Sequence, residues 1–243
     1  MERTYVLPGD SIDPTLIPSH PTRPLKLGLG LKHIPPSDII PTIAGELVTD
    51  RRKNSMHIEY NGGRYVPIIG DLVIGTVQKT AADYYYVGLS DYTSNAILPQ
   101  LAFEGASKKT RPNLAAGALV YARVSLANRH MDPELECVST ATGKADGLGP
   151  LVGGMIYTIS LGMARRLRMA KLVEKGKVAV IEDLSSAGLA FEMAVGCNGK
   201  LWVNSENIKT ILAVGRAVKE TDEKNLGVEA QRKLARKLIK EMA

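Results

Sequence analysis

Between residues 71 and 138 the chain holds five short apolar segments, none longer than nine residues. They are residues 71–79 (DLVIGTVQK), 83–89 (DYYYVGL), 94–98 (SNAIL), 118–126 (ALVYARVSL) and 134–138 (ELECV). Turn formers separate them at Ala81-Ala82-Asp83, at residues 113–117 and at residues 128–133. Segments this short, rich in β-branched and aromatic residues and spaced this closely, pack as a sandwich or a small barrel. Five strands with a longer excursion after the third suit the five-stranded OB barrel. Gly75 inside the first strand fits the sharp coiling that a small barrel demands.

The flanks differ from this centre. Residues 1–62 carry Pro14, Pro18, Pro21, Pro24 and the pair Pro35-Pro36. Proline lacks an N–H and fixes φ, so this density forbids long helices and confines strands to edges. The expectation is a small region of β-hairpins that needs a neighbour to pack against. Residues 143–154 (GKADGLGPLVGG) form a glycine-rich connection and the expected boundary. No helix opens directly after it, so it is not a dinucleotide-binding loop.

The last third alternates strand and helix. A strand is expected at 155–160, a helix at 162–172 with Met163, Leu167 and Ala170 on one face, and a second helix at 177–187. Strands follow at 189–195 and 200–203, and then a helix with Ser205 as N-cap. This β-α-α-β-β-α order is KH-like. A final helix, 228–242, sets Leu234, Leu238 and Ile239 on one face and lysines and arginines on the other. The expected fold is multidomain, mainly β with α+β: an N-terminal β region (1–62), an OB barrel (63–146) and a KH-like domain with a C-terminal helix (147–243).

Composition narrows the function. The net charge is +6, a modest excess that suits nucleic acid or an acidic partner surface. No stretch has the roughly 20 apolar residues of a membrane span, and the first ten residues do not read as a signal peptide. The expectation is a soluble intracellular protein without a membrane. Cys137 and Cys197 are too few for a disulfide framework and read as core fillers. His20, His33, His57 and His130 have no His, Cys or carboxylate at metal-ligand spacing. The acids Asp71, Asp83, Asp91 and Glu104 are dispersed, unlike the clusters of metal-dependent nucleases. No catalytic residue, metal or cofactor is expected.

Binding residues are easier to nominate. In the second strand Tyr84 and Tyr86 point one way and Tyr85 and Val87 the other. One set fills the barrel. The other either stacks on bases or packs against a neighbouring domain. Lys108, Lys109 and Arg111 lie close together in the excursion, where a basic loop suits phosphate contacts without sequence specificity. The first helix carries Arg165, Arg166, Arg168, Lys171 and Lys175, with Arg165 and Arg168 on one side. Alternation and spacing leave RNA, an acidic protein and solvent all open for this helix. Gly196-Cys197-Asn198-Gly199 spells the G-x-x-G of a KH backbone clamp. It falls between two strands, whereas the helix-helix junction is at 173–177 (VEKGK). It therefore reads as a tight type I′ hairpin, with Asn198 and Gly199 at positive φ.

Taken whole, the chain resembles the RNA exosome cap subunits that combine an N-terminal β region, an OB-fold domain and a KH domain. Val6-Leu7-Pro8-Gly9-Asp10 looks like that family's V-x-P-G-D, and Gly196-Cys197-Asn198-Gly199 like its G-x-N-G. Ser107-Lys108-Lys109 and residues 120–124 (VYARV) are similar to the fungal form of the smaller of the two G-x-N-G cap proteins. The resemblance implies a non-catalytic subunit that binds single-stranded RNA with little sequence preference. It implies a seat on a ring of ribonuclease-PH-like proteins beside other cap subunits, where it stabilises the ring and guides RNA into the channel. It implies a G-x-N-G segment buried at a domain contact, and a location in nucleus and nucleolus and also cytoplasm. The rival readings are a free-standing RNA chaperone or translation factor, and a nuclease with an unfamiliar site.

Overall fold

In the computed structural model, residues 4–60, 63–91, 93–139, 142–169 and 178–242 are described. The chain divides into two compact units, residues 1–62 and 63–243. In the first, β1 (Tyr5–Val6), β2 (Lys26–Leu27), β3 (Leu31–Ile34), β4 (Asp38–Pro41), β5 (Gly45–Asp50) and β6 (Ser55–Glu59) follow in order. β1, β5, β6 and β2 form one sheet, in that order, and β3 and β4 form a hairpin. Leu7 to Asp10 is a type II turn: Pro8 sets φ at its second position and Gly9, at φ +89°, supplies the third. Asp10 N–H donates to Leu7 O at 3.1 Å, and the Asp10 carboxylate accepts from Leu7 N–H at 2.7 Å. The expectation of hairpins without a core of their own needs correction. Val6, Ile12, Ile39, Leu47, Met56 and Ile58 are buried together within this unit. The prolines permit it because they sit in turns, irregular segments and at a strand end, with Pro14 opening a short 3-10 helix.

The second unit opens with the barrel: β7 (Leu72–Thr80), β8 (Tyr84–Gly88), β9 (Ala96–Pro99), β10 (Leu119–Asn128) and β11 (Met131–Glu136). β7 pairs with β8 and with β10, β8 with β9, β9 in parallel with β11, and β11 with β10, so the cylinder closes. Closure follows from period-two burial. Val73, Val77, Tyr85, Val87, Ala96, Leu98, Val120, Ala122, Val124 and Leu135 share one core. Phe103 and Leu114, from the long excursion, join it. At Gly75 an added Cβ would collide with a Val87 methyl, so the walls approach too closely there for any other residue. The glycine-rich connection is more than a linker: it contains β12 (Gly149–Leu151), which extends the sheet beside β10.

The KH-like part runs β13 (Met155–Thr158), α1 (Leu161–Arg168), α2 (Ala179–Ser186), β14 (Glu192–Gly196), β15 (Lys200–Asn204), α3 (Ile208–Glu223) and α4 (Val228–Met242). β15 is the centre of an antiparallel three-stranded sheet. Leu201 and Val203 meet Met163, Leu167, Val180, Leu184, Val214 and Val218 in a second core, which Ala235 and Leu238 of α4 complete. Ala170, the 173–177 junction, Lys171 and Lys175 lie outside the described residues. Asn207, not Ser205, caps α3. Its side chain accepts from Lys209 N–H at 2.9 Å, while the Ser205 hydroxyl donates to Ala190 O at 2.7 Å. Two nearby polar residues offer the same cap chemistry, and the loop's need for a tie to Ala190 decides between them.

Candidate nucleic-acid interface

On β8 the expected alternation holds. Tyr85 and Val87 are buried in the barrel, and Tyr84 and Tyr86 are half-buried on its outer face. The outer rings meet edge to face, with centroids 5.2 Å apart and hydroxyl oxygens 3.3 Å apart. That hydrogen bond holds the Tyr84 phenol above its ordinary pKa, so the ring stays neutral at pH 7. Lys79 lies opposite Tyr86 in the β7–β8 ladder and is exposed. Sequence periodicity misses Lys79, because a register shift between Val77 and Lys79 resets which side chains share the face.

The basic loop is ordered by its own side chains. Thr110 N–H and Arg111 N–H both donate to Ser107 O, at 3.1 and 2.9 Å, and the Ser107 and Thr110 hydroxyls lie 2.8 Å apart. Tyr85 hydroxyl donates to Pro112 O, and Thr80 hydroxyl to Leu114 O at 3.3 Å. These bonds hold the excursion against the β7–β8 end of the barrel. Arg111 reaches Ala82 O at 3.3 Å, while Lys108 and Lys109 are exposed. Tyr84, Tyr86, Lys79 and the basic loop therefore converge on one end of the barrel.

The α1 arginines do not join them. Arg168 donates to Cys197 Sγ, beside Asp71 at the start of β7. The basic loop is near the far end of that nine-residue strand, roughly 30 Å away at strand rise. Arg165 Nε donates to Leu161 O at 3.3 Å. Arg166 stands 3.8 Å from Asp222, whose carboxylate also accepts from Ser160 N–H and hydroxyl, both at 2.6 Å. Arg166 thus ties α1 to α3 and Arg168 lines the contact with the barrel, while Arg165 bonds back to its own helix.

That contact is built on Gly196-Cys197-Asn198-Gly199. The segment joins β14 to β15 as a hairpin, but not as type I′. The ladder pairs Gly196 with Lys200, which leaves a three-residue loop, and of Asn198 and Gly199 only Gly199 has positive φ, +73°. A type I turn followed by a left-handed glycine fits this loop length. Asn198 is freed for another task. Its Oδ1 accepts from Ile74 N–H at 3.2 Å, and its Nδ2 donates to Ile74 O at 2.8 Å and to Leu89 O at 2.7 Å. The β7–β8 ladder stops at Thr76–Gly88, so the Asn198 amide serves Ile74 in place of a strand. Cys197 N–H donates to Leu72 O at 2.7 Å and Tyr121 hydroxyl to Val195 O at 3.3 Å. The Cys197 thiol is pushed up by burial, which Arg168 partly opposes, so it stays protonated at pH 7. Cys137, inside the barrel, is pushed up to about 12 by burial.

Comparison with known proteins matches each part. Residues 65–149 match the S1 domain of exosome complex component RRP40, residues 25–64 the N-terminal domain described as that of exosome complex exonuclease Rrp40, and residues 154–209 a KH domain. The chain is 37% identical to exosome complex component RRP40 of Saccharomyces cerevisiae, over 98% of this chain and 97% of that one. It is 39% identical to the Schizosaccharomyces pombe counterpart, over 98% and 96%. A solved structure described as a putative exosome complex RNA-binding protein shares the fold, with a TM-score of 0.58 at 22% identity, over 74% of this chain and 98% of that one. With the N-terminal region, the barrel and the KH-like part all matched along nearly the whole chain, it belongs to the Rrp40 family of exosome complex components.

Proposed function

We propose that this chain is a non-catalytic, RNA-binding cap subunit of the exosome. It stabilises a ring of ribonuclease-PH-like subunits and leads single-stranded RNA toward the channel for 3′-to-5′ processing and decay, in nucleus, nucleolus and cytoplasm. The observation that carries this is the match, over nearly their full lengths, to relatives named as exosome components. A free-standing RNA chaperone has no comparable support. RNA contact is assigned first to Tyr84, Tyr86, Lys108, Lys109 and Arg111, which share one barrel end. Arg168 is assigned to the domain contact rather than to RNA, and Arg165, on the same short helix, is set apart from the barrel end with it.

Among the described residues no three His, Cys, Asp or Glu side chains gather as a metal site. Asp71 is engaged by Tyr65 hydroxyl at 2.9 Å and Glu104 by Ala145 N–H at 2.7 Å. The open cleft of about 420 Å³ between β12 and β14 holds one carboxylate, Glu192, and no histidine or cysteine. Purified chain incubated with single-stranded RNA and magnesium is expected to leave the RNA intact. Cleavage that follows the protein through purification refutes the non-catalytic reading.

The binding face has its own test. Changing Lys108, Lys109 and Arg111 to Ala is expected to weaken affinity for single-stranded RNA. It is also expected to flatten the salt dependence by about 0.7 log units for every phosphate left without its cation. Fluorescence anisotropy across a salt series measures both. An unchanged slope would return the loop to ordinary surface charge.

A further inference from the structure

Cations also gather away from the barrel. α4 turns Ala235 and Leu238, with half-buried Leu234 and Ile239, toward α2 and α3. Its other side carries Arg232, Lys233, Arg236, Lys237 and Lys240, all largely open to solvent. Against these five cations the helix has two carboxylates, Glu229 and Glu241, so it holds +3 of the chain's net +6.

The arrangement differs from that of its neighbour. α3 intersperses signs, with Arg216–Glu220, Lys219–Glu223 and Lys224–Glu220 pairs at 2.8, 3.8 and 2.9 Å. On α4, Arg232, Arg236 and Lys240 form one row at four-residue spacing and Lys233 and Lys237 a second. Like charges at that spacing repel and weaken a helix. Among the described residues only Lys237 of the five has an ion partner, Glu241 at 3.8 Å, and Glu241 is shared with Arg216 at 3.3 Å. A self-repelling face of this kind is relieved by a polyanion. Protein interfaces are depleted in lysine and enriched in aromatics and arginine; this face has three lysines and no aromatic, and its two arginines suit phosphate equally well.

We infer that α4 is a second surface for the phosphate backbone of RNA, separate from the barrel end. Each row steps about 6 Å along the helix axis, a spacing suited to successive phosphates of an extended strand, and reads no base. This rests on the RNA-binding reading above.

The test compares the full chain with the variant Arg232→Gln, Lys233→Gln, Arg236→Gln, Lys237→Gln. Glutamine keeps helix propensity, and a melting temperature no lower than the parent's confirms the fold, since relieving like-charge repulsion raises it. The probe is a fluorescent uridine strand of about 30 nucleotides in a salt series, long enough to span more than one binding surface. The expected result is at least about tenfold weaker binding near 0.1 M salt, with a slope lower by about 0.7 for each phosphate no longer neutralised. Photo-crosslinks from 4-thiouridine RNA to peptides within residues 228–242 are expected in the parent chain. If the parent binds RNA and the variant binds equally with the same slope, the inference fails while the RNA-binding reading stands. If the parent binds no RNA, that reading fails first and takes the inference with it. If RNA binding is unchanged and the variant instead loses protein subunits in native mass spectrometry, the stripe serves an acidic partner and the inference is overturned.

Discussion

Replacing Asn198 by Ala is expected to lower the stability of the 63–243 unit by about 3–5 kcal/mol. The side chain is 8% exposed and makes three hydrogen bonds to backbone groups of the barrel. Alanine removes all three. It leaves Ile74 N–H, Ile74 O and Leu89 O without their partner, at about 1–3 kcal/mol for each buried group left unsatisfied, less where water enters. For a unit of this size each kcal/mol lowers the melting temperature by about 2–4 °C, so a fall of roughly 6–20 °C in a thermal scan is the expected reading. Asn198→Asp is a sharper probe of the same point. It keeps the shape but replaces the donor facing Ile74 O and Leu89 O with an acceptor, so it is expected to destabilise at least as much. A fall under about 2 °C for either variant would show that the amide does not join the two parts.

Gly196→Ala is expected to be about as damaging by a different route. An added Cβ would collide with Asn198 Oδ1 and lie 2.7 Å from the Ile74 backbone nitrogen. A side-chain oxygen can rotate away, but the nitrogen belongs to β7. The hairpin therefore has to back off the barrel, weakening both the Asn198 bonds and the 2.7 Å bond from Cys197 N–H to Leu72 O. Overpacking of this kind costs about 1–3 kcal/mol, and the weakened hydrogen bonds add to it. The two substitutions act on one junction, so their effects are not additive. The double variant is expected to be only slightly less stable than Gly196→Ala alone. Full additivity in denaturant titrations would mean that Gly196 and Asn198 act independently.

Much of this architecture is legible from local chemistry. The barrel strands declare themselves because inward and outward residues alternate, as Tyr84, Tyr85 and Tyr86 do. α4 matches its expected bounds because its apolar stripe repeats at helical period. The distances that make a site are not legible. Arg165 and Arg168 look as available as Lys108 and Lys109 in the sequence. Folding places Arg168 against Cys197, roughly a strand's length from the basic loop. Lys79 escapes notice for the converse reason, since a bulge shifts its register. Gly196-Cys197-Asn198-Gly199 reads correctly as a hairpin but with the wrong turn. The dipeptide Asn-Gly signals type I′ only when the loop has two residues, and here Asn198 is committed to partners more than a hundred residues away. That partnership is visible in one sequence only through resemblance to a family that shares the motif.

We propose that this chain works as a subunit, with its barrel face and G-x-N-G hairpin serving an assembly that handles RNA. Native mass spectrometry of the endogenous protein, isolated at low salt without crosslinking, tests it most directly. The expected result is a multi-subunit particle that contains ribonuclease-PH-like proteins and releases this 26.2 kDa chain only on activation. A dominant free species at the mass of the single chain, with no ring proteins attached, would contradict it.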